Sequence, residues 1–189
     1  MKLLTMQEIA LSIIEETRDV DPEITEGLIL KEAVIPRSEI VKLQTKLHIG
    51  TLSQIFTELI LSYNWGNFGF LSYQFGVNDE ETLNWIVQRN LEYADYDILH
   101  QYDLMIIANG DPSTILLECA TGKVYAIDSE TDYEDRILIA NNFEMLVRAM
   151  GTGQYAVWNG KESEFISMIR ESVNAKGVEF WRGFVGYYK

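Results

Sequence analysis

Cysteine and histidine, which carry much of protein chemistry, are scarce in this sequence. It has one cysteine, Cys119, and two histidines, His48 and His100. A single cysteine excludes an internal disulfide bond and is typical of proteins from a reducing compartment. Neither histidine has another His or a Cys at metal-ligand spacing, so a structural zinc site is not expected.

Long hydrophobic runs are also lacking. None approaches the roughly 18 consecutive apolar residues of a membrane-spanning helix. Near the N-terminus, Glu8, Glu15 and Glu16 interrupt the apolar stretch that a signal peptide would need. We therefore expect a cytoplasmic protein with no membrane partner.

Positive charge is the third deficit. The chain has 15 Lys and Arg residues against 29 Asp and Glu residues, a formal net charge of −14. A negative electrostatic field argues against nucleic acid as a partner, because nucleic acid is itself negatively charged. Hydrophobic residues at 47% and aromatic residues at 12% exclude a disordered chain of similar charge. The length, 189 residues, fits one domain, because domains typically have about 100–200 residues.

The order of the predicted elements indicates an α+β fold. Thr5 and Glu8 form a capping-box pattern before a first helix, and Asn78 is placed to cap a later one. Strand candidates at 103–108, 113–118 and 123–128 are joined by short turns, as in an antiparallel meander. The segment 27–34 fits a short strand or a helical turn. We predict a single α+β domain with a central, mostly antiparallel sheet flanked by helices.

Glycines and aromatic residues mark the C-terminal part. Gly151 and Gly153 are expected to end a helix that Asn141 or Asn142 caps, and Gly177 is expected to follow the last helix. The aromatic tail at 180–188 can belong to the core or to an interface, and we favour the core.

Segments that resemble nucleotide-binding or catalytic motifs either lack a required residue or follow the wrong kind of secondary structure. The segment 121–124, Thr-Gly-Lys-Val, matches the end of a phosphate-binding loop, but Leu117 stands where its first glycine is required. The segment 151–156 fits the loose dinucleotide pattern, but it follows a helix and not a strand. Cys119 has no histidine near it in sequence, although His100 could approach it in space. We expect no enzymatic activity and no cofactor.

A calcium loop is the remaining metal candidate. Residues 128–132 alternate acidic and hydroxyl side chains as such a loop does. Tyr133, however, occupies the position of the glycine that makes the sharp turn, and Ile139 that of the bidentate glutamate. We expect no metal site.

The most distinctive feature is a concentration of acidic residues in the segment 128–135, here called the acidic loop. Its carboxylates belong to Asp128, Glu130, Asp132, Glu134 and Asp135. If the backbone is extended, the first three of these side chains point to one side. The loop is either a solvated surface or a docking surface for a basic protein partner. In the second case Tyr133 or Trp65 would serve as an aromatic anchor.

Several segments in the middle of the chain resemble the SUKH superfamily. These are Lys46–Ser53 with the helix that follows it, Asn64-Trp65-Gly66, Asn109-Gly110-Asp111 before an apolar strand, Thr121–Glu130, and Ile139–Leu146. The resemblance covers about residues 36–150 and leaves an N-terminal helical extension, 1–35, and a C-terminal helix with the aromatic tail, 151–189. Ser53 stands where Pro is usual, and Trp65 replaces a Gly.

The resemblance implies a domain that binds proteins and has no catalytic residues. Bacterial members of the superfamily are largely immunity proteins that neutralise toxins, often nucleases, and fungal relatives regulate cell-wall assembly. The favoured hypothesis is an immunity protein that binds a basic toxin domain through the acidic loop. The alternatives are a housekeeping regulator or scaffold of the same fold and, less favoured, a metal-dependent or small-molecule enzyme. The oligomeric state stays open.

Overall fold

A computed structural model of the protein describes residues 1–76 and 82–188. The described helices are α1 Met6–Glu16, α2 Pro22–Thr25, α3 Ser38–Lys46, α4 Gln54–Ser62, α5 Asn84–Leu91, α6 Tyr96–Gln101, α7 Phe143–Trp158, α8 Glu162–Ile169 and α9 Ala175–Phe184. The strands are β1 Lys31–Glu32, β2 Tyr63–Asn64, β3 Gly69–Phe70, β4 Tyr73–Gln74, β5 Leu104–Asn109, β6 Thr114–Glu118, β7 Val124–Ile127 and β8 Ile137–Ala140.

The strands β3 to β8 form one antiparallel sheet in which sequence neighbours are also spatial neighbours. The predicted α+β domain, with a central antiparallel sheet between helices, is therefore confirmed. The three strand candidates correspond to β5, β6 and β7 to within one or two residues at either end. A separate two-stranded sheet pairs β1 with β2. The open segment 27–34 contains both predicted alternatives, because a 3-10 turn, Glu26–Leu28, precedes β1.

Each face of the main sheet covers a different apolar cluster. One face packs on the large core with α4 and α7, through residues such as Met105, Leu117 and Val124. The opposite face carries a small cluster made of Leu99, Leu104, Ile106, Leu116 and Ile127. Four half-buried tyrosines complete the small cluster, so this second face is covered by polar aromatic side chains and by α6.

Two glycines that were expected to end α7 lie inside it instead. Gly151 and Gly153 are buried, and the helix runs on to Trp158. A Cβ atom on Gly151 would lie 2.6 Å from the Ile9 side chain, and one on Gly153 would lie 2.8 Å from Phe184. The prediction of a helix end is wrong because these glycines allow α1 and α9 to pack closely on α7.

The C-terminal segment forms a helix whose aromatic side chains belong to the core. Phe180, Trp181 and Phe184 of α9 are buried, as favoured from the sequence. Gly177 lies in the first turn of α9, where its N–H donates to the Asn174 side chain. The prediction that Gly177 follows the last helix is therefore wrong. The cap predicted at Asn78 lies outside the described residues. In the described part of the chain, no helix has both the length and the apolar character needed to cross a membrane.

The capping box of α1 predicts a pH-dependent contribution to stability. Lys2 donates to the Glu8 carboxylate at 2.7 Å and the Thr5 N–H donates at 2.9 Å, and together they lower the pKa of Glu8 to about 2. The unfolded value is about 4.3. A lowered folded pKa stabilises the fold above pH 4.3, and this contribution disappears as the pH falls towards 2.

We expect Glu8→Gln to lower the free energy of unfolding at pH 7 and to approach the native protein as the pH falls from 4.3 to 2. Gln can still accept from the Thr5 N–H, so the difference isolates the charge. Urea unfolding followed by circular dichroism measures it. Glu15→Gln on the exposed side of the same helix is the control, and an equal pH-dependent loss there would contradict the assignment.

Candidate functional site

The acidic loop is a turn followed by a short 3-10 helix, Tyr133–Asp135, and not an extended strand. Asp128 starts the turn, because its carboxylate accepts from the Glu130 N–H at 3.0 Å and from the Thr131 hydroxyl at 2.5 Å. These two hydrogen bonds hold the pKa of Asp128 below its usual value. The predicted alternation of Asp128, Glu130 and Asp132 on one side is therefore not found, and Asp128 has a structural role.

Beside the loop lies a surface that we call the tyrosine face, made of Tyr93, Tyr102, Tyr125, Tyr133 and Arg136. The four tyrosines are half-buried against the small apolar cluster of the sheet. The rings of Tyr102 and Tyr133 stack with centroids 6.3 Å apart and an angle of 17°. Residues from a helix end, a strand and the acidic loop therefore form one aromatic surface.

Arg136 holds this surface together. Its guanidinium lies 4.8 Å from the ring centre of Tyr125 and 5.5 Å from that of Tyr102. It donates to the Tyr133 carbonyl at 2.7 Å and lies 3.9 Å from the Glu118 carboxylate. An arginine between two aromatic rings combines cation–π attraction with hydrogen bonding, and the lysine side chain cannot reproduce this geometry.

Hydrogen bonds connect the loop to the tyrosine face. The Tyr102 hydroxyl donates to Glu134 at 3.1 Å, and the Tyr133 hydroxyl lies 3.2 Å from both Tyr93 and Asp95. Donation to Glu134 raises the pKa of Tyr102, and burial followed by the Tyr93 hydrogen bond raises the pKa of Tyr133. Both phenols are therefore neutral at pH 7 and act as hydrogen-bond donors, not as bases.

The remaining carboxylates of the loop face solvent. Asp135 lies 3.7 Å from Lys176, and both side chains are well exposed, so this pair adds little stability. Glu130 and Asp132 are exposed and form no salt bridge with any residue in the described ranges. These two side chains give the site a negative rim that is free to meet a cation.

Trp65 does not belong to this surface. It is 1% exposed and packs among Phe68, Phe75 and Phe143, with ring centres 5.1–5.7 Å away. An indole in this position has no surface to offer a partner, so the prediction of Trp65 as an anchor is wrong. Tyr133 remains the aromatic candidate.

Both histidines and the cysteine line a separate cavity of about 230 Å³. His100 Nε2 lies 3.1 Å from the His48 carbonyl. Because a carbonyl only accepts, Nε2 must carry the proton. Cys119 is fully buried, and burial, with Asp103 and Glu118 nearby, raises the pKa of its thiol. His100 and Cys119 therefore line the same cavity, and the surroundings of Cys119 disfavour a reactive thiolate.

Metal-ligand geometry is not formed at either place. Among residues 1–76 and 82–188, no group of three or more His, Cys, Asp and Glu side chains is arranged to hold a metal ion.

The aromatic and hydrogen-bonding groups described above are typical of protein recognition. Tyrosine and arginine are enriched at the centres of protein interfaces, where they contribute much of the binding energy.

Most of the tyrosine face escaped the sequence analysis. The strand alternation of β6 and β7 places Tyr125 on the same face of the sheet as Leu116, so the sequence held a signal for that residue. Tyr93, Tyr102 and Arg136 gave no such signal, because they reach the face from a helix end and from loops.

A scan against models of protein families and a search of curated proteins both gave no match. The resemblance to SUKH domains therefore stays a prediction from the residues quoted above.

Proposed function

We propose that this protein is a non-enzymatic, cytoplasmic protein-binding domain whose tyrosine face and acidic loop bind a basic protein partner. The observation that carries the proposal is that the exposed, unpaired carboxylates of Glu130 and Asp132 lie on the same short loop as Tyr133, which stacks on Tyr102. Such a surface has the composition of an interface centre with a charged rim.

The negative charge of the acidic loop supports a basic partner. Glu130, Asp132, Glu134 and Asp135 lie on one short segment of a chain with a net charge of −14. A negative surface of this kind increases the association rate of a positively charged protein and makes the affinity fall with added salt. Since the two exposed, unpaired carboxylates need not break an internal salt bridge to bind, they are available at little cost.

The ordered side chains of the tyrosine face support a specific contact. Tyr102 and Tyr133 are held by stacking, by Arg136 and by hydrogen bonds to Glu134 and Asp95. Side chains that are already ordered lose little conformational entropy on binding, so more of the contact energy appears as affinity. An ordered aromatic patch next to exposed carboxylates combines specificity with fast association.

The resemblance to SUKH domains supports toxin immunity as the biological role. A nuclease toxin must present a basic surface to its substrate, and an acidic protein can occupy that surface. A regulator or scaffold of the same fold would use the same face with a different partner. The gene neighbourhood separates these two roles, because an adjacent toxin gene is expected only for immunity.

The test is binding of the toxin domain encoded beside this gene, measured by isothermal titration calorimetry at several salt concentrations. We expect the double variant Glu130→Lys, Asp132→Lys to lose affinity by about tenfold or more, and to show a weaker salt dependence. Tyr133→Ala should lose affinity at all salt concentrations, because its contact is not mainly electrostatic.

The matched control is Glu15→Lys with Asp19→Lys, which changes the net charge equally at exposed positions outside the site. An equal loss in the control would mean that only the overall charge matters and would contradict this site. Absence of a neighbouring toxin gene, or of binding by the native protein, would contradict the immunity role.

A further inference from the structure

Among residues 1–76 and 82–188, β1 pairs with β2 alone, so its outer edge has no partner strand there. Just after β1, the Ala33 and Ile35 N–H groups donate to the carbonyls of Ser62 and Leu61, the last two residues of α4, at 2.9 and 3.0 Å. The backbone groups of Val34, which lies between them, therefore point away from this pairing. Val34 is 98% exposed, and its N–H has no backbone acceptor in the described ranges. An edge with free donors and acceptors is a template for one more strand.

An apolar groove of about 460 Å³ lies next to this edge. Its walls come from α1, through Met6 and Ala10, from the two-stranded sheet, through Glu32 and Tyr63, and from Leu30, the residue before β1. Phe70 is buried at its floor. Side chains of Leu30 and Glu32 share one face of β1, so alternate side chains of an added strand would enter the same groove.

The charge of the groove lining indicates which kind of strand would bind there. Glu32 is the acidic side chain in the groove lining, is exposed, and forms no salt bridge with a described residue. Lys31, its neighbour on the opposite face of the strand, is already paired with Glu26 at 3.1 Å. The groove therefore favours an apolar strand that carries one Lys or Arg opposite Glu32.

We propose that β1 and this groove bind an extended peptide segment of another protein, with alternate apolar residues and a basic residue opposite Glu32. The peptide adds a strand to the β1–β2 sheet, main-chain hydrogen bonds to Glu32 and Val34 hold it, and the groove selects its side chains. A second copy of this chain is disfavoured, because each copy carries a net charge of −14. This surface is independent of the tyrosine face.

The probe is the acetylated and amidated peptide Thr-Val-Thr-Lys-Thr-Val-Thr, titrated into the ¹⁵N-labelled whole chain. We expect the amide resonances of Glu32 and Val34 to shift and their hydrogen exchange to slow. Val34→Pro removes the N–H that would donate to the peptide. Because this N–H has no backbone acceptor within the described residues, the substitution breaks no internal bond, and the affinity for the peptide should fall about tenfold. Val34→Thr, which keeps the donor, should bind like the native chain.

A second variant protects the test against misfolding of Val34→Pro. Glu32→Gln keeps the backbone and should weaken binding severalfold and reduce its salt dependence. The same peptide with Glu in place of Lys should bind more weakly to the native chain. No shifts at β1, or equal binding by Val34→Pro with its β1–β2 contacts intact, would overturn the proposal. So would a dimer in sedimentation experiments that Val34→Pro abolishes, because the occupant would then be a second copy.

Discussion

Replacing Trp181 with Ala is expected to lower the free energy of unfolding by about 3–5 kcal/mol, the usual cost of truncating a buried tryptophan. The side chain is fully buried in α9 and contacts Phe165, Phe180 and Phe184, with ring centres 5.1–5.8 Å away. Removing it leaves a cavity where three other rings meet. Since domains are stable by about 5–15 kcal/mol, this is a large fraction of the total.

The indole also covers the edge of the sheet. Its Nε1–H donates to the carbonyl of Ile139 in the edge strand β8 at 3.1 Å. Trp181→Phe keeps most of the ring contacts and leaves this buried carbonyl without its donor, so it should cost about 1–3 kcal/mol. The two variants together separate the packing contribution from the hydrogen bond.

Equilibrium urea unfolding followed by circular dichroism measures both losses. Tyr188→Ala is the control, because Tyr188 is 85% exposed in the same C-terminal segment and should change nothing measurable. A native-like midpoint for Trp181→Ala would show that α9 does not contribute to the cooperative fold.

Asn90→Leu is expected to destabilise the fold by about 3 kcal/mol. Asn90 is 1% exposed on α5, and its amide donates to the carbonyls of Ile86 and Ile106 at 2.9 and 3.0 Å. Its carbonyl oxygen accepts from the Ile106 N–H at 2.8 Å. The strand β4 pairs with β5 at Asn109. At Ile106, the Asn90 side chain provides the hydrogen bonds that a neighbouring strand would otherwise provide. Leucine of similar volume would leave both backbone groups of Ile106 buried and unpaired, at about 1–3 kcal/mol each.

Urea unfolding gives the total effect of this substitution, and hydrogen exchange of the Ile106 amide gives its location. Gln88→Leu adds the same apolar side chain on the exposed side of α5 and should leave the stability nearly unchanged. If Ile106 stays protected from exchange in Asn90→Leu, another group must satisfy it, and the proposed role of Asn90 would be wrong.

Prediction from the sequence succeeded where the deciding contacts are local. The Thr5–Glu8 capping box, the Asn142 cap of α7 and the meander from β5 to β7 depend on residues a few positions apart or joined by short turns. Hydrogen bonds of this kind are encoded in short segments, because chain connectivity already brings their partners together.

Prediction failed where a residue's role depends on a distant segment. Gly151 resembles a helix terminator in isolation, but the side chain of Ile9, which is far away in sequence, makes it a packing residue inside α7. Trp65 resembles a surface anchor, but Phe143, which is far away in sequence, encloses it together with Phe68 and Phe75. The burial of these two residues depends on the assembled core, and the sequence around each of them did not report it.

The candidate site shows the same division. The sequence by itself determined the net charge of −14, the place of the acidic loop and the α+β class, because these follow from composition and from local periodicity. Only the tertiary structure decided that Tyr93, Tyr102 and Arg136 join Tyr133 in one face. That arrangement arises because the sheet and α6 bring together distant side chains, such as Tyr93 and Tyr133, which are 40 residues apart. Contacts of this kind form only in the folded chain.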